Sequence, residues 1–346
     1  MKYKTKRLRR FLVTTVTATV ISILSAAASP TATDRHLGYT GTPVMLKPKP
    51  ILYDTNSVAP LNNQLRIASY NIENFQDGVN DGARTTEIAA KQAQIAAVII
   101  ERMNPDIIVL EEIENGKVLK LLNKNFSNPY PLVYLCKFGY GKGFKHHMAL
   151  MSRVELEDVT VIDFGGLEGK TRPTRGVVRV TVDLGANHKL LLYGVHLKSN
   201  WGKRHLNIAK RRAGLQILRD NADKTIAKTP GVFWEIIVLG DMNTDPDSAN
   251  FKDDNCLLPL KGWVDLWRGE PLEERITIPT RVGIPSMEFP PATFDRLFIN
   301  NQLTNSPWTA SAPGRIPEGV SHDAHIKPGE GSHASDHYPV FLDITR

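Results

Sequence analysis

The chain has 346 residues, of which 41% are hydrophobic and 23% are charged, a composition ordinary for a soluble globular protein with a sizeable core. No internal repeat or low-complexity block interrupts the sequence. The net charge is +7, but six basic residues and no acidic ones lie within residues 1–28, so the remaining chain is near +1. Overall basicity therefore gives no argument for nucleic-acid binding, and only local patches can provide one.

The N-terminal residues have the layout of a secretory signal. A basic region up to Arg10 precedes an apolar stretch from Phe11 to Leu24, and the small residues Ala26-Ala27-Ala28 follow. The apolar stretch is short for the roughly 20 residues that cross a bilayer. Residues 1–28 therefore predict a cleaved signal peptide and a secreted or periplasmic protein. We expect no stable membrane insertion after cleavage, and we expect a monomer.

Residues 29–63 are rich in Pro and Thr and predict an extended arm ahead of a globular domain that spans residues 64–346. The only cysteines are Cys136 and Cys256. In an oxidising compartment they permit one disulfide, and two buried free thiols are the equal alternative. No Cys-x-x-Cys or His-Glu-x-x-His motif is present, which argues against a zinc site of a familiar kind.

The globular part opens with alternating strand and helix patterns. A strand from Leu65 to Tyr70 ends at Asn71, and apolar residues at helical spacing predict a helix over Thr86–Met103. The apolar run Asp106–Leu110 predicts the next strand, with Glu112 shortly after its end. The order of strand, helix and strand indicates a layered α/β fold.

A hairpin is predicted in the middle of the chain. The segment Gly176–Leu184 alternates apolar and polar residues, and Ala186-Asn187 lies near a turn before the strand Lys189–Val195. The sheet therefore contains antiparallel strands. The second strand runs into His196, and a helix is predicted over His205–Asp223.

The apolar run Ile236–Leu239, bounded by Gly240, predicts a buried strand. Asp241 and Asn243 follow it directly. Taken alone, they are equally well explained as a polar loop, because Asp and Asn favour such turns. The pattern gains meaning because several other predicted strands also end on one acid, amide or histidine. A further short apolar strand is predicted over His147–Ser152.

The last two strands are predicted over Phe294–Ile299 and Tyr338–Ile344, and the Pro- and Gly-rich segments 268–292 and 301–332 predict surface loops. If these strands run opposite to the earlier ones, the polar residues at all strand ends meet at one edge. Sites are commonly built in this way on a rigid scaffold. The residues concerned are Asn71, Glu112, His196, Asp241, Asp295, Asp336 and His337.

Six motifs carry a resemblance to a known family. SYNIEN, PDIIVLEEIEN, HLKS, LGDMNTDPDS, TFDRLFI and SDHYPVFLDI occur in the order seen in the endonuclease/exonuclease/phosphatase superfamily, which contains deoxyribonuclease I, abasic-site endonucleases, inositol-polyphosphate phosphatases and bacterial sphingomyelinases. The resemblance runs from Leu65 to the C-terminus. It implies a four-layered α/β sandwich, with two mixed, mainly antiparallel β-sheets packed together and helices outside. It also implies that residues 64–346 form a catalytic domain that hydrolyses phosphate esters with a divalent metal.

The chemistry of phosphodiester hydrolysis agrees with this resemblance, since it needs charge neutralisation, an oriented water and a stabilised leaving oxygen. Glu112 is a hard oxygen ligand that suits Mg²⁺, with Mn²⁺ or Ca²⁺ as substitutes. Asp336 is expected to be the second acidic contributor, directly or through water. Glu111 is the alternative to Glu112, and the family-like pattern favours the second residue of that pair.

Three residues are expected to handle the attacking water. Asp241 would hold it or take a proton from it. Asn243 and Asn71 would orient water, phosphate and metal ligands through their side-chain amides.

Two histidines are expected to hold the scissile phosphate. His196 and His337 would lie near opposite sides of the line of attack. Asp295 would support His337, as a carboxylate often fixes the tautomer of an imidazole. We expect neighbouring parallel strands to bring Asp295 and His337 side by side.

The substrate-binding residues are predicted less directly. Relatives carry a phosphate-contacting arginine in the region of Arg172 and Arg175, and the sequence does not decide between them. The segment from Lys198 to Arg212 contains six basic residues, no acid and Trp201. It would follow a phosphate backbone, with Lys198 binding phosphate and Trp201 stacking on a base or sugar. A solvated helix face is the alternative.

These observations predict a secreted metal-dependent nuclease that hydrolyses DNA, RNA or both. The alternative is a secreted phosphodiesterase or phosphatase that acts on a lipid or a small molecule. A non-catalytic binding module is disfavoured because Glu112, Asp241, Asn243, Asp336 and His337 are all present.

Overall fold

The computed structural model describes residues 38–139, 145–283 and 287–346. The predicted signal peptide, residues 1–28, lies outside the described residues. Within them, none of the helices combines the length and apolar character that a membrane crossing requires.

Nineteen strands are described, many of them only two or three residues long. In chain order they are β1 Thr40–Gly41, β2 Val44–Leu46, β3 Pro50–Tyr53, β4 Gln64–Phe75, β5 Ile107–Ile113, β6 Leu132–Cys136, β7 His147–Ser152, β8 Asp158–Asp163, β9 Leu167–Glu168, β10 Val177–Gly185, β11 His188–His196, β12 Phe233–Asp241, β13 Val264–Asp265, β14 Arg281–Gly283, β15 Met287–Phe289, β16 Asp295–Ile299, β17 Thr309–Ala310, β18 Gly314–Arg315 and β19 Val340–Thr345. All the strands predicted from the sequence are among them.

Five α-helices are described, and the predicted first helix has the predicted bounds. They are α1 Thr86–Met103, α2 Gly116–Asn123, α3 Arg204–Lys228, α4 Leu272–Arg275 and α5 Gln302–Asn305. Helix α1 begins where the Thr85 hydroxyl accepts a hydrogen bond from the Ile88 backbone N–H. It ends at Asn104, which has a left-handed φ of 48° and precedes a proline.

Two large sheets form the body of the protein. The eight-stranded sheet has the order β17-β19-β4-β5-β7-β6-β3, with β18 also paired to β19, and the seven-stranded sheet has the order β13-β16-β12-β11-β10-β8-β2. Within these sheets only β4 with β5 and β11 with β12 are parallel, and the other described pairs are antiparallel. The prediction of mixed, mainly antiparallel sheets is confirmed.

The apolar runs of the strands are explained by burial of both strand faces. In β5, Ile107 and Val109 belong to a core cluster shared by the two sheets, whereas Ile108 and Leu110 pack with residues of α1 and α2. Strand β12 alternates in the same way between the other sheet and α3. The layers are therefore helix, sheet, sheet and helix, and the predicted four-layered sandwich is confirmed.

The predicted hairpin is formed by β10 and β11. Ala186 and Asn187 connect the strands with φ values of 51° and 64°. Two consecutive positive φ values match the twist of a two-residue hairpin turn. Because β11 then pairs in parallel with β12, the ends of these two strands, His196 and Asp241, lie opposite each other.

The predicted arm, residues 29–63, contains β1, β2 and β3. Strand β2 extends one sheet by pairing with β8, and β3 extends the other by pairing with β6. Of the two alternatives for the cysteines, the structure has free thiols, since Cys136 and Cys256 are both buried and unbridged. Burial raises the pKa of the Cys136 thiol to about 12, so the thiol is protonated at neutral pH.

Candidate active site

The polar residues predicted to meet at one edge do so because of strand direction. In the seven-stranded sheet β16 runs antiparallel to β12, so Asp295 at its start lies opposite Asp241. In the eight-stranded sheet β19 runs antiparallel to β4, and the segment with Asp336 and His337 leads into it. The prediction that the last two strands run opposite to the earlier ones is confirmed.

Asp241 is the acceptor shared by several side chains at this edge. Its Oδ2 accepts hydrogen bonds from the amides of Asn243 at 2.7 Å and Asn71 at 3.3 Å, and His196 Nε2 lies 3.4 Å from the same oxygen. Burial raises the pKa of the Asp241 carboxyl to about 7, although the charge of His337 acts to lower this pKa. A carboxyl group with this pKa is suited to accept a proton from water near neutral pH.

His196 is buried between two carboxylates. Its Nε2 lies 3.4 Å from Asp241 Oδ2 and 3.6 Å from Glu112 Oε1. Burial and the nearby charge of Arg175 hold the pKa of His196 well below its ordinary value, so the imidazole is neutral. Because Nε2 faces both acids, we infer that it carries the single ring proton.

His337 and Asp295 form one hydrogen-bonded unit, with His337 Nδ1 2.7 Å from Asp295 Oδ2. Burial would lower the pKa of His337, but the charges of Asp295 and Asp336 raise it well above its ordinary value. The expectation that neighbouring parallel strands create this pair is wrong. Strands β16 and β19 belong to different sheets, and the pair forms because the two sheets face each other.

The two glutamates of β5 have different surroundings. Glu111 is fully buried, accepts a hydrogen bond from the Ser69 hydroxyl at 2.6 Å, and has a pKa that burial raises well above its ordinary value. Glu112 lies at an irregularity in the pairing with β7 and has a φ of 63°, which is uncommon outside glycine. Burial would raise its pKa, but a hydrogen bond with His146 and other nearby charges lower it. Glu112 is therefore the ionised member of the pair, and its Oε2 accepts the Asn74 N–H at 2.9 Å.

Asp336 is paired with an arginine that the sequence did not indicate. Arg281 Nη1 lies 2.6 Å from Asp336 Oδ2 and 3.9 Å from Glu73 Oε2, and Asp336 Oδ1 lies 3.7 Å from His337 Nε2. Arg281 was missed because its segment has the composition of a Pro- and Gly-rich surface loop. Glu73 was also missed as a residue of this site. It lies within the SYNIEN motif, and that motif was the signal that could have identified Glu73.

The structure distinguishes the two candidate arginines by their positions. Arg175 Nη1 donates to the Leu197 carbonyl at 2.9 Å, and its charge lowers the pKa of His196. Arg172 Nη1 donates to the Leu167 carbonyl at 3.2 Å, on the short strand β9. Arg175 therefore lies within electrostatic range of the edge.

The basic segment contains residues of different kinds. Lys198 Nζ donates to Ser199 O, Ser199 Oγ and Trp201 O at 2.9 to 3.0 Å, so its ammonium group holds a loop. Trp201 is 85% exposed. Arg211, which the sequence grouped with the surface basic residues, is buried in an ion pair with the buried side chain of Asp254 and is structural.

The acidic residues that follow Asn243 are also structural. Buried Asp245 accepts two hydrogen bonds from Arg275 Nη1, each at 2.9 Å, and one from the Thr293 N–H at 3.0 Å. Arg296 bridges Asp245 and Asp247 at 3.3 and 2.8 Å. This network ties the loop after β12 to the start of β16, where Asp295 lies.

A second acidic group lies beside the edge. Asp77, Asp81 and Glu114 each offer a carboxylate oxygen that could bind a metal ion, and these oxygens lie within 4.8 Å of one another. Lys145 pairs with Asp81 and lies 2.9 Å from Glu114 Oε1, and Asn115 Nδ2 donates to Asp77 and Glu114 at 3.1 Å. Their negative charge is thus partly neutralised by protein groups.

Glu112 and Asn71 have the donor chemistry that Mg²⁺ prefers. The ionised carboxylate of Glu112 is a hard oxygen ligand, and the buried Oδ1 of Asn71 accepts no hydrogen bond from the described residues. A buried carbonyl oxygen without a donor is stabilised by a bound cation or water. The residues present therefore fit a magnesium ion.

Solved structures with the same fold belong to several organisms. They include humanized TDP2 of D. rerio, with a TM-score of 0.57 and 20% identity over 82% of this chain and 100% of that one. An endonuclease/exonuclease/phosphatase from Beutenbergia cavernae DSM 12333 has a TM-score of 0.54 and 17% identity over 82% of this chain and 72% of that one. Beta toxin 275-280 from Staphylococcus aureus has a TM-score of 0.57 and 16% identity over 80% of this chain and 99% of that one.

These identities are low, so the structural matches support the fold alone. Comparison with curated protein sequences gives no match. The sequence model described as "Endonuclease/Exonuclease/phosphatase family" matches residues 68–337, which is more than half of the chain and includes the residues of the edge from Asn71 to His337. The chain therefore belongs to the endonuclease/exonuclease/phosphatase family, whose members are typically Mg²⁺-dependent phosphoesterases.

Proposed function

We propose that this protein is a secreted, Mg²⁺-dependent phosphodiesterase that hydrolyses nucleic acid. The observation that carries the proposal is the group around Asp241, where Asn71 of one sheet and Asn243, just after β12 of the other, donate to the same carboxylate oxygen. Such a preorganised group at the meeting point of two rigid sheets is suited to orient a water molecule. Glu112 would hold the metal, with Asn71 Oδ1, which has no partner among the described residues, beside it and Asp336 as the second acidic contributor, directly or through water. The bound metal would neutralise charge on the phosphoryl oxygens.

A protein group makes the first proton transfer, and solvent supplies the second. Asp241 accepts one proton from the attacking water as the water oxygen forms its bond to phosphorus, and the phosphorus bond to the leaving oxygen breaks. The leaving oxygen then takes a proton from solvent. Protonated His337, supported by Asp295, stabilises negative charge that develops on the phosphoryl oxygens. Neutral His196 would donate a hydrogen bond from Nε2 to the scissile phosphate, on the side opposite His337.

A nucleic-acid substrate is supported by the charges beside this edge. Arg175 lies within electrostatic range of the site, and α3 carries half-buried or exposed basic residues near its start, where a phosphate chain would pass. Those residues are Arg204, Lys210 and Arg212, preceded by Lys203. A similarly folded protein, TDP2 of D. rerio, was crystallised with a single-strand DNA product.

Secretion is supported by residues 1–28, which combine a basic start, a short apolar stretch and three alanines. Expression of the full chain in a bacterium with a secretory pathway tests this. We expect the protein in the periplasm or medium with its N-terminus near residue 29. Uncleaved protein that stays in the cytoplasm would contradict secretion without touching the proposed reaction.

The reaction is tested by incubating mature protein with plasmid DNA, RNA, sphingomyelin and a chromogenic phosphodiester, each with Mg²⁺ and with chelator. We expect nicked plasmid or degraded RNA only when Mg²⁺ is present. Turnover of sphingomyelin with intact nucleic acids would contradict the proposed substrate and support the lipid alternative.

A further inference from the structure

The loop between β11 and α3 presents one large side chain to solvent. Trp201, at 85%, is the most exposed large apolar residue in the described part of the chain. A tryptophan side chain usually buries much of its 150–250 Å² of apolar surface, so this degree of exposure is unfavourable without a partner. The next residue, Gly202, has a φ of 99°, which lets the chain turn directly into α3.

The backbone of Trp201 is held in place although its indole is free in solvent. The Trp201 carbonyl accepts hydrogen bonds from Lys198 Nζ and from Asn207 Nδ2, each at 2.9 Å. Asn207 is itself only 4% exposed and lies in the first turn of α3. The indole therefore projects from a fixed point on the surface.

The same loop is joined to the catalytic edge. Asn200 Nδ2 donates to the main-chain carbonyl of Asn243 at 3.1 Å. Buried Arg211 donates from Nη1 to Lys198 O at 3.0 Å and to Asn200 Oδ1 at 3.1 Å. These bonds fix the loop relative to Asn243, which donates in turn to Asp241.

The surroundings of Trp201 favour a polyanion with flat groups over a lipid surface. The exposed residues beside it are polar or basic, namely Asn200, Lys203 and Arg204. A membrane-binding face needs a larger apolar area than one indole provides. A nucleobase offers a π-face for the indole, and its phosphates suit the neighbouring basic residues.

We propose that Trp201 is a stacking platform for an unpaired base next to the scissile phosphate, so that the preferred substrate is single-stranded or locally unpaired nucleic acid. This rests on the proposed function. Inside a duplex both faces of each base are already stacked, so there an indole can stack only on a base that has left the duplex. Asn207 and Arg211 act as positioning residues because they hold the loop, not the substrate.

The test compares wild type, Trp201→Ala, Trp201→Phe, Asn207→Ala and the control Tyr53→Ala. Tyr53 is also an exposed aromatic residue, at 59%, but lies on edge strand β3. Steady-state kinetics are measured with Mg²⁺ on a single-stranded oligonucleotide, the matching duplex and bis(p-nitrophenyl) phosphate. Binding to anionic phosphatidylserine vesicles is measured in parallel by sedimentation.

Base stacking on an aromatic residue corresponds to roughly a 5- to 150-fold change in affinity. We expect Trp201→Ala to raise KM for the single strand by about 10-fold with little change in kcat, within that range. Trp201→Phe should retain most of the stacking and so keep KM close to the wild-type value. Asn207→Ala should raise KM less than Trp201→Ala does, and Tyr53→Ala should match wild type. Wild type should prefer the single strand. On the small diester the control Tyr53→Ala should match wild type, and Trp201→Ala should lose much less activity than it loses on the single strand.

Equal KM values for wild type and Trp201→Ala on the single strand would overturn the inference while leaving nucleic-acid hydrolysis intact. Equal losses on the small diester would indicate a structural role and would also overturn it. Vesicle binding that depends on Trp201 would assign the residue to a membrane instead. Failure of wild type to cleave any nucleic acid would overturn the proposed function and this inference together.

Discussion

His337 and Asp295 are buried, with Asp295 at the start of β16 in one sheet and His337 shortly before β19 of the other. Their 2.7 Å contact places a carboxylate on the ring nitrogen Nδ1, which leaves Nε2 as the nitrogen available to a substrate. Because the carboxylate keeps the imidazole protonated, the role of each residue depends on the other. The two should therefore behave as one unit in catalysis.

A double-mutant cycle tests this unit. Asp295→Asn and His337→Ala should each lower kcat by roughly 10²- to 10⁴-fold, the usual range for a catalytic proton-transfer or charge-stabilising group. The double variant should lose little more than the worse single variant, because residues that act together are strongly non-additive. Additive losses, with circular dichroism showing intact folding, would show that the two residues act separately.

The dependence of rate on pH follows from two groups with opposite requirements. Asp241 must be deprotonated to accept a proton, and its pKa is raised to about 7 by burial. His337 must stay protonated, and nearby carboxylates raise its pKa well above the ordinary histidine value. We expect kcat/KM for a small diester to rise through about pH 7 and to fall at more alkaline pH as His337 loses its proton.

Asp241→Asn should remove the acid limb along with most of the activity. His337→Gln should shift or remove the alkaline limb. A wild-type rate that does not rise through about pH 7 would contradict the role of Asp241. A rate that never falls at alkaline pH would contradict the role of His337.

Helix α3 shows how one element combines two uses of basic residues. Arg211 faces inward and pairs with Asp254, which also accepts a hydrogen bond from Thr244 at 2.9 Å. Arg204 and Arg212 remain accessible on the other positions of the same helix. Arg211 of this helix thus holds the loop after His196, whereas Arg204 and Arg212 present positive charge to solvent.

Neutralising the accessible residues tests the second use. The triple variant Lys203→Gln, Arg204→Gln, Arg212→Gln should weaken nucleic-acid binding and reduce the slope of log affinity against log salt by about 1 for each phosphate that is no longer neutralised. Hydrolysis of a small phosphodiester should change little. Equal losses on both substrates would show that these residues support the structure instead.

Arg211→Met tests the first use. Removing one partner of a buried ion pair leaves Asp254 uncompensated, and such changes typically cost about 3–5 kcal/mol. We expect a loss of that order in the free energy of unfolding measured with urea. Arg212→Met, on the neighbouring and more exposed position, is the control and should change it by less than about 0.5 kcal/mol. Similar values for the two variants would contradict the structural role of Arg211.

Much of the element structure could be predicted from the sequence, because long apolar runs and helical spacing report burial directly. The bounds of α1 and the β10–β11 hairpin are examples. The candidate site residues Asn71, His196 and Asp241 were predicted from the ends of apolar strand patterns in the same way. Short edge strands such as β2 were not predicted, since three exposed residues carry no periodic pattern. The prediction of segment 268–292 as a surface loop was wrong, since it contains α4, β14 and β15, and the role of Arg281 was missed because only this folded segment brings it to Asp336.

The way in which the two sheets pack against each other could not be predicted from the sequence, for a related reason. Strand patterns show which faces are buried but not which strands of different sheets meet. Asp295 and His337 were predicted to pair, yet the predicted arrangement of their strands was wrong. The same limit applies to Arg211, whose burial depends on the position of Asp254 in a distant loop.

At the scale of the whole molecule, the site depends on how closely the two sheets approach. Gly194 of β11 faces Val109 of β5, and a Cβ atom at position 194 would lie 2.6 Å from Val109 Cγ1. Because Asn71 and Asp241 are hydrogen-bonded across the same interface, a change in sheet spacing would alter that hydrogen bond. The glycine therefore permits the close packing that brings the two halves of the site together.

Gly194→Ala should destabilise the protein by about 1–3 kcal/mol, as overpacking in a core usually does. Activity should fall as well, since displacement of catalytic groups by a fraction of an ångström is costly. The control is Gly214→Ala in α3, where the nearest atoms to an added Cβ lie at an ordinary 3.6 Å. That control should be neutral or slightly stabilising, because alanine favours helix. A neutral Gly194→Ala variant, measured by urea unfolding, would contradict this view of the interface.

The most direct test of the central claim is plasmid cleavage by the mature protein and by Glu112→Gln, each with Mg²⁺ and with excess chelator. The carboxamide keeps the size of the side chain but removes the charge of the proposed metal ligand, so the variant should fold normally and lose most activity. We predict nicked plasmid for wild type with Mg²⁺, intact plasmid with chelator, and restored cleavage when Mg²⁺ or Mn²⁺ is added back. Full activity of wild type in chelator, or of Glu112→Gln with Mg²⁺, would contradict the assignment of this edge as a metal-dependent phosphodiesterase site.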